Sequence, residues 1–183
     1  MRRVRTALVG LVLLGGALGM APAAIPTGLA EDAPVGIEKA YKPDTEECAF
    51  LRQINKYRSK KNLPSLALDG SLGQAAEHHS ADMAKRNYFS HKVKGDNRSW
   101  KQNIRHFGYK GDPIGENIAA GTNAKRAKVA MKMWKKSAPH DKAMRNKNFR
   151  AIGIGRAYDK SSKYGWYWTT TFGGKVEQPV SCK

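Results

Sequence analysis

Cysteine is scarce in this chain: Cys48 and Cys182 are the only two among 183 residues. That excludes a cysteine-rich scaffold and an all-cysteine zinc finger. Acidic residues are also few, 15 Asp and Glu against 33 Lys and Arg, giving a formal net charge of +18. Several enzyme fingerprints are absent: no G-x-S-x-G, no P-loop, no G-x-G-x-x-G opening a helix and no H-E-x-x-H. Internal repeats and low-complexity tracts are missing too. What remains, 40% hydrophobic and 26% charged residues, describes one globular domain rather than a disordered or fibrous chain.

A single apolar stretch stands apart. Arg2, Arg3 and Arg5 precede a charge-free run from Ala7 to Met20, followed by the small residues of Ala21-Pro22-Ala23. This is the pattern of a secretory signal peptide over residues 1–23, with Ala30 a second cleavage position. The alternative is an uncleaved anchor, which Gly15, Gly16 and Pro22 interrupt near the minimum spanning length. The protein is therefore expected to be secreted, with no transmembrane anchor after processing and as a monomer. Export places Cys48 and Cys182 in an oxidising compartment, where a disulfide between them is the plain reading and a catalytic thiolate the alternative. The long loop they close would contribute on the order of 4–5 kcal/mol in the chain-entropy account.

Charge is regional. Residues 92–150 hold 16 basic and 4 acidic side chains, a net of +12. A secreted surface of this kind suits anionic lipid headgroups or cell-envelope polymers, unless it is only a solvated face. Nucleic acid is the weakest partner, since no zinc-finger spacing, aromatic RNA-binding string or basic zipper is present.

Residues 24–43, with Pro26, Pro34 and Pro43, read as a linker, and 44–183 as the domain. Helices are predicted from Asp44 or Thr45 to near Lys61, from Asp69 to about Asn87, and from Ser99 to Phe107. Residues 108–122 read as a Gly-rich loop with a short extended piece at Ile118. A further helix opens at Asn123 and stops at Pro139, and a last helical turn covers His140 to Arg145. Ala151–Tyr158 and Tyr164–Phe172 switch to strand periodicity and should pair as a hairpin. Helices first and an aromatic hairpin last argue for α+β, a small sheet covered by helices.

Chemistry-bearing residues sit at element ends. His91 closes Asn87-Tyr88-Phe89-Ser90-His91, Glu116 lies in Gly115-Glu116-Asn117, and His140 ends Ser137-Ala138-Pro139-His140. Such positions converge on clefts. His78 and Asp82 are spaced to pair on one helix face. His79 falls on the apolar face, as a hydrogen-bonded core histidine would. Trp166 and Trp168 alternate onto one side of the last strand, for core packing rather than carbohydrate stacking.

These segments together resemble the CAP superfamily over roughly residues 48–174. The marks are Ile54-Asn55-Lys56-Tyr57-Arg58, Leu66-Ala67-Leu68-Asp69, His79-Ser80-Ala81-Asp82-Met83-Ala84 and Asn87-Tyr88-Phe89-Ser90-His91. They continue with Gly115-Glu116-Asn117-Ile118-Ala119-Ala120-Gly121, Trp134 with Ser137-Ala138-Pro139-His140, and Phe149-Arg150-Ala151-Ile152-Gly153-Ile154-Gly155. The resemblance implies a three-layer α-β-α sandwich with a small central mixed sheet. It also implies a cleft with two His, here His91 and His140, and the glutamate Glu116. A second glutamate common in the family is replaced by Ser137, as in bacterial members.

Two imidazoles can hold a divalent cation such as Zn²⁺, weakly, because a third protein ligand is missing. Glu116 would orient an imidazole or act as a base. Three functions follow. The preferred one is a ligand- or envelope-binding module for an anionic envelope polymer or a lipid- or sterol-like molecule. The others are a metal-dependent hydrolase using His91, Glu116 and His140, and a scaffold whose cleft serves only the fold.

Overall fold

The computed structural model describes residues 40–182. The proposed export segment and the linker up to residue 39 lie outside the described residues.

Helix α1 (Thr45–Ser59) starts where its sequence says it should. The Asp44 side chain accepts from the Glu46 and Glu47 amides, and the Glu47 carboxylate accepts in return from the Asp44 amide, a reciprocal cap. Tyr41, just before it, is buried and donates its hydroxyl to the Ile154 carbonyl. Strand β1 (Ala67–Asp69) follows, and Asp69 caps α2 (Gly70–Lys85) through the Leu72 amide. A small ladder of β2 (Lys92–Val93) and β3 (Arg98–Ser99) leads into the short α3 (Trp100–His106).

The expected Gly-rich loop is instead an eight-residue strand, β4 (Ile114–Gly121). Glycine and alanine weaken its local strand preference. Pairing along its whole length with a later strand supplies what propensity does not. The next helix, α4 (Ala127–Lys135), begins four residues later than its pattern suggested. Pro139 does not stop it; the proline lies in the first turn of a separate helix, α5 (Ala138–Met144), where its missing N–H costs no intrahelical bond. Strands β5 (Ala151–Tyr158) and β6 (Trp166–Gly173) form the expected hairpin, and β7 (Pro179–Val180) ends the sheet.

The five strands run in the order β4-β6-β5-β1-β7, with β1 parallel to β5 and all other pairs antiparallel. Alternation along β5 and β6 divides the molecule into layers. Ile152, Ile154, Trp168 and Phe172 join Phe50, Ile54 and Trp134 of α1 and α4 in one core. On the other face, Gly153 and Gly155 lie against α2: a Cβ at Gly153 would fall 2.0 Å from the Leu72 carbonyl carbon. Thr171 Oγ1 donates to the Leu72 carbonyl from the same side. The small residues of β5 therefore let a helix backbone rest directly on a strand. The result is an α+β sandwich of three layers, helix, mixed sheet and helix.

Cys48 and Cys182 are joined, with Cα atoms 5.7 Å apart across 134 residues of sequence. Arg58 is fully buried and spreads four hydrogen bonds over the carbonyls of Pro64, Met144, Asn146 and Phe149. It pins the connection between α5 and β5, which borders the cleft described next.

Candidate functional site

Strand alternation carries Glu116 onto the same side as Ile118, toward α2. There its carboxylate meets two imidazoles. His79 Nδ1 lies 2.9 Å from Oε2, and His91 Nδ1 lies 2.7 Å from Oε1. His79 Nε2 is 2.9 Å from the Ser90 carbonyl oxygen.

Proton counting constrains the states. A carbonyl accepts only, so His79 Nε2 must carry a hydrogen and donate. One further proton lies between His79 Nδ1 and Glu116, and another between His91 Nδ1 and Glu116. With His91 neutral, its Nδ1–H donates to the carboxylate and its Nε2 lone pair faces away from it. His91 is the accessible member, with its side chain 49% exposed, whereas the His79 and Glu116 side chains have no exposed surface. The hydrogen bond that His91 donates to Glu116 raises the His91 pKa above the usual imidazole value, against the opposing effect of burial.

His140 lies in the first turn of α5, and its carbonyl accepts from Asn117 Nδ2 at 3.1 Å. Its pKa is lowered, first by burial and then by the charge of His91. The two imidazoles are therefore shifted in opposite directions from the ordinary value, His91 upward and His140 downward.

An open cleft of roughly 630 Å³ runs beside this group, between β4 and α5. Trp100, Ile114, Pro139 and Phe149 give it apolar walls, while Lys142 and Arg145 stand on its rim. Arg145 is engaged by Asp141 at 2.7 Å. Glu116 borders the cleft, but its carboxylate is covered by the two histidines. His91 and His140 are not in the walls themselves; they adjoin them through Glu116 and Pro139.

As a metal site, the donor set is thin. His91 offers Nε2 and His140 a ring whose neutral form is favoured, while Glu116 is occupied on both oxygens. Among the described residues no group of three His, Cys, Asp or Glu is arranged to hold a cation.

Other expectations are redrawn. His78 does not pair with Asp82. Its Nε2 is 3.1 Å from Asp96, while Asp82 accepts from Arg86, Tyr88 and the Gly95 amide. His79 is the core histidine its position suggested, and it is also the inner partner of Glu116, a link that sequence reasoning missed. Reading residues 114–118 as a strand would have found it, because that register points Glu116 at α2. Trp168 is buried with its Nε1–H on the Ala124 carbonyl, and Arg156 lies over the rings of both Trp168 and Trp166.

A model of the cysteine-rich secretory protein (CAP) family matches residues 51–172. This chain belongs to that family. YkwD of Bacillus subtilis (strain 168) is 34% identical over 129 residues, covering 70% of this chain and 47% of that protein. The membrane protein YlbC of the same organism is 33% identical over 111 residues, covering 61% of this chain and 31% of its own length. The chain thus spans less than half the length of these curated relatives. Among solved structures, an extracellular protein containing an SCP domain from Bacillus anthracis str. Ames is similar, with 31% identity and a TM-score of 0.60. The match covers 75% of this CAP chain and 45% of that one. An outer surface protein from Borrelia burgdorferi shares the fold at 19% identity and a TM-score of 0.61, covering 78% of this chain and all of its own. Among the described residues no helix is long and apolar enough to cross a membrane.

Proposed function

We propose that this CAP domain is an exported binding module whose cleft takes an amphipathic anionic ligand of the lipid or sterol-like class. The observation that carries this reading is the junction of apolar wall and basic rim. Trp100, Ile114 and Phe149 offer area to a hydrocarbon body, and the exposed Lys142 stands where an anionic head would lie. The export half of the reading is supported by the 1–23 segment, by the disulfide, and by the similar extracellular protein of Bacillus anthracis. His91 and His140 form a weak divalent-cation site at the cleft edge, and such a cation would supply a charge for an anionic head to approach.

Hydrolysis is the weaker reading. The carboxylate that would act as base is covered on both oxygens and has no exposed surface, so a bound substrate meets His91 and not Glu116. The scaffold reading applies to the inner pair, His79 and Glu116, rather than to the cleft.

The test is a fluorescence titration with dodecyl phosphate below its micellar concentration. Trp100 is a partly exposed indole of the cleft wall. The expected result is saturable binding that weakens at least fivefold in Lys142→Gln and again in Phe149→Leu. Affinity unchanged in both variants would sink the reading. Zinc is titrated separately by calorimetry into the wild type and His91→Ala/His140→Ala; equal heats in the two would remove the cation site.

A further inference from the structure

A second surface lies outside the cleft. Four lysines of α4 and its C-terminal cap, Lys128, Lys132, Lys135 and Lys136, recur on one side of the helix, and Lys56 and Lys60 face them from the end of α1. They edge two adjoining hollows, of about 430 and 220 Å³, that share Met131 and Lys135 and so form one groove. All six are exposed, and among the described residues none takes part in an ion pair. The acids that reach this region are already used. Asp141 accepts from Tyr57 and Arg145, and Glu46 accepts from the Ala127 amide and pairs with Arg126.

Six like charges on two packed helices oppose each other; the C-terminal ends of α1 and α4 favour a cation, but among the described residues no acid neutralises these six. A counter-charge from outside relieves that repulsion. We infer that the α1–α4 groove binds a linear phosphodiester polyanion of the cell envelope, a polyol-phosphate chain laid along α4.

The geometry favours a thread. Lys128, Lys132 and Lys136 follow one another at about 6 Å along the helix axis, at 1.5 Å per residue. That spacing is close to the phosphate-to-phosphate repeat of an extended glycerol-phosphate chain. Lysines act as point charges toward phosphate and tolerate a chain with few directional features. A bilayer surface fits less well: the cations edge a hollow rather than crown a convex face, and Met133 is the one large apolar side chain of α4 that is exposed. A single-stranded nucleic acid would want an open aromatic face to stack on. The groove's Tyr57 has Lys135 4.7 Å from its ring centroid and its hydroxyl tied to Asp141. The disulfide also points to a compartment outside the reducing cytosol.

The groove shares no lining residue with the cleft, so this inference stands or falls apart from the cleft reading. The experiment titrates a synthetic glycerol-phosphate oligomer of defined length into the purified protein at several salt concentrations. The groove variant is Lys132→Gln/Lys135→Gln/Lys136→Gln. A charge-matched control, Lys85→Gln/Lys110→Gln/Lys160→Gln, removes three exposed cations elsewhere. The expected result is at least tenfold weaker binding and a shallower salt dependence in the groove variant, less than twofold change in the control, and none in His91→Ala/His140→Ala. Melting temperatures within a few degrees of the wild type establish that each variant is folded. Equal weakening in groove variant and control would mean net charge alone, and would overturn the site. So would a groove variant that loses phosphatidylglycerol vesicles or single-stranded oligonucleotide while keeping the oligomer.

Discussion

Glu116 holds His79 and His91 at once, one oxygen to each, so that β4, α2 and the segment after α2 are tied through a single carboxylate. The inner contact has no exposed surface and the outer one does. The same side chain thus serves both the fold and the edge of the cleft. Removing it separates those roles.

Glu116→Ala leaves His79 with a ring nitrogen buried and unpaired. A loss of about 2–4 kcal/mol is expected, because the desolvation cost of the orphaned partner adds to the lost bond. Glu116→Gln keeps an acceptor and the shape and should cost about half as much. Urea unfolding of both variants reads the difference, and equal costs would assign the whole contribution to the charge and none to the retained acceptor and shape.

The two cleft histidines should titrate on opposite sides of the ordinary imidazole value, near 6.5. His91 is raised by Glu116, and His140 is lowered by burial and by His91. For His91, the stabilising contribution is complete below about pH 6.5 and is lost as pH rises through its raised value. For His140 it is present above about pH 6.5 and is lost as pH falls through its lowered value. Ring-proton NMR checks the order, and Glu116→Gln should bring the His91 midpoint down. Coincident midpoints in the wild type would contradict the arrangement.

Gly153→Ala should prevent folding or cost about 3 kcal/mol or more, since the new methyl group meets helix backbone and not a side chain that can move. At Gly121 the nearest atom to a new Cβ is 3.4 Å away, and alanine there should change stability by less than about 1 kcal/mol. Thermal melts of the pair distinguish close approach from a general intolerance of alanine in the sheet.

Arg58→Lys keeps the charge but replaces a planar fork that reaches four carbonyls with one compact ammonium. A loss of about 2–3 kcal/mol is expected. Asn146 and Phe149 belong to both the Arg58 network and the cleft wall. Dodecyl phosphate affinity should therefore fall in the same variant, and a change in stability without one in affinity would uncouple them.

Cys48→Ser/Cys182→Ser should reduce stability by on the order of 4–5 kcal/mol. Comparison of denaturant midpoints for the oxidised wild type, the reduced wild type and the double variant checks it, with the last two expected to agree.

Much of this architecture was legible from local pattern. Asp44 and Asp69 announce two helices, and the period-two run from Ala151 to Tyr158 announces the hairpin. What was not legible depends on partners far along the chain. Ile114–Gly121 has the composition of a loop and becomes a strand because β6 pairs with every residue of it. The same hidden strand concealed the His79–Glu116 contact, which needs the register before it needs the residue types. Pro139 misled for a related reason: a proline that ends one helix and a proline in the first turn of the next look alike in sequence.

The Cys48–Cys182 bond also has a mechanical consequence. Tension applied across this domain by anything attached before residue 48 and after residue 182 runs through the sulfur bridge and around the 134-residue span it encloses. While the bridge is oxidised, the elements enclosed between Cys48 and Cys182 carry almost none of that load, and only the Asp44 cap, the first turn of α1 and the Tyr41–Ile154 bond ahead of Cys48 meet it. Reduction lets the force reach the packing of α1 from one end and the β1–β7 hydrogen bonds from the other, and turns a clamped domain into an extensible one.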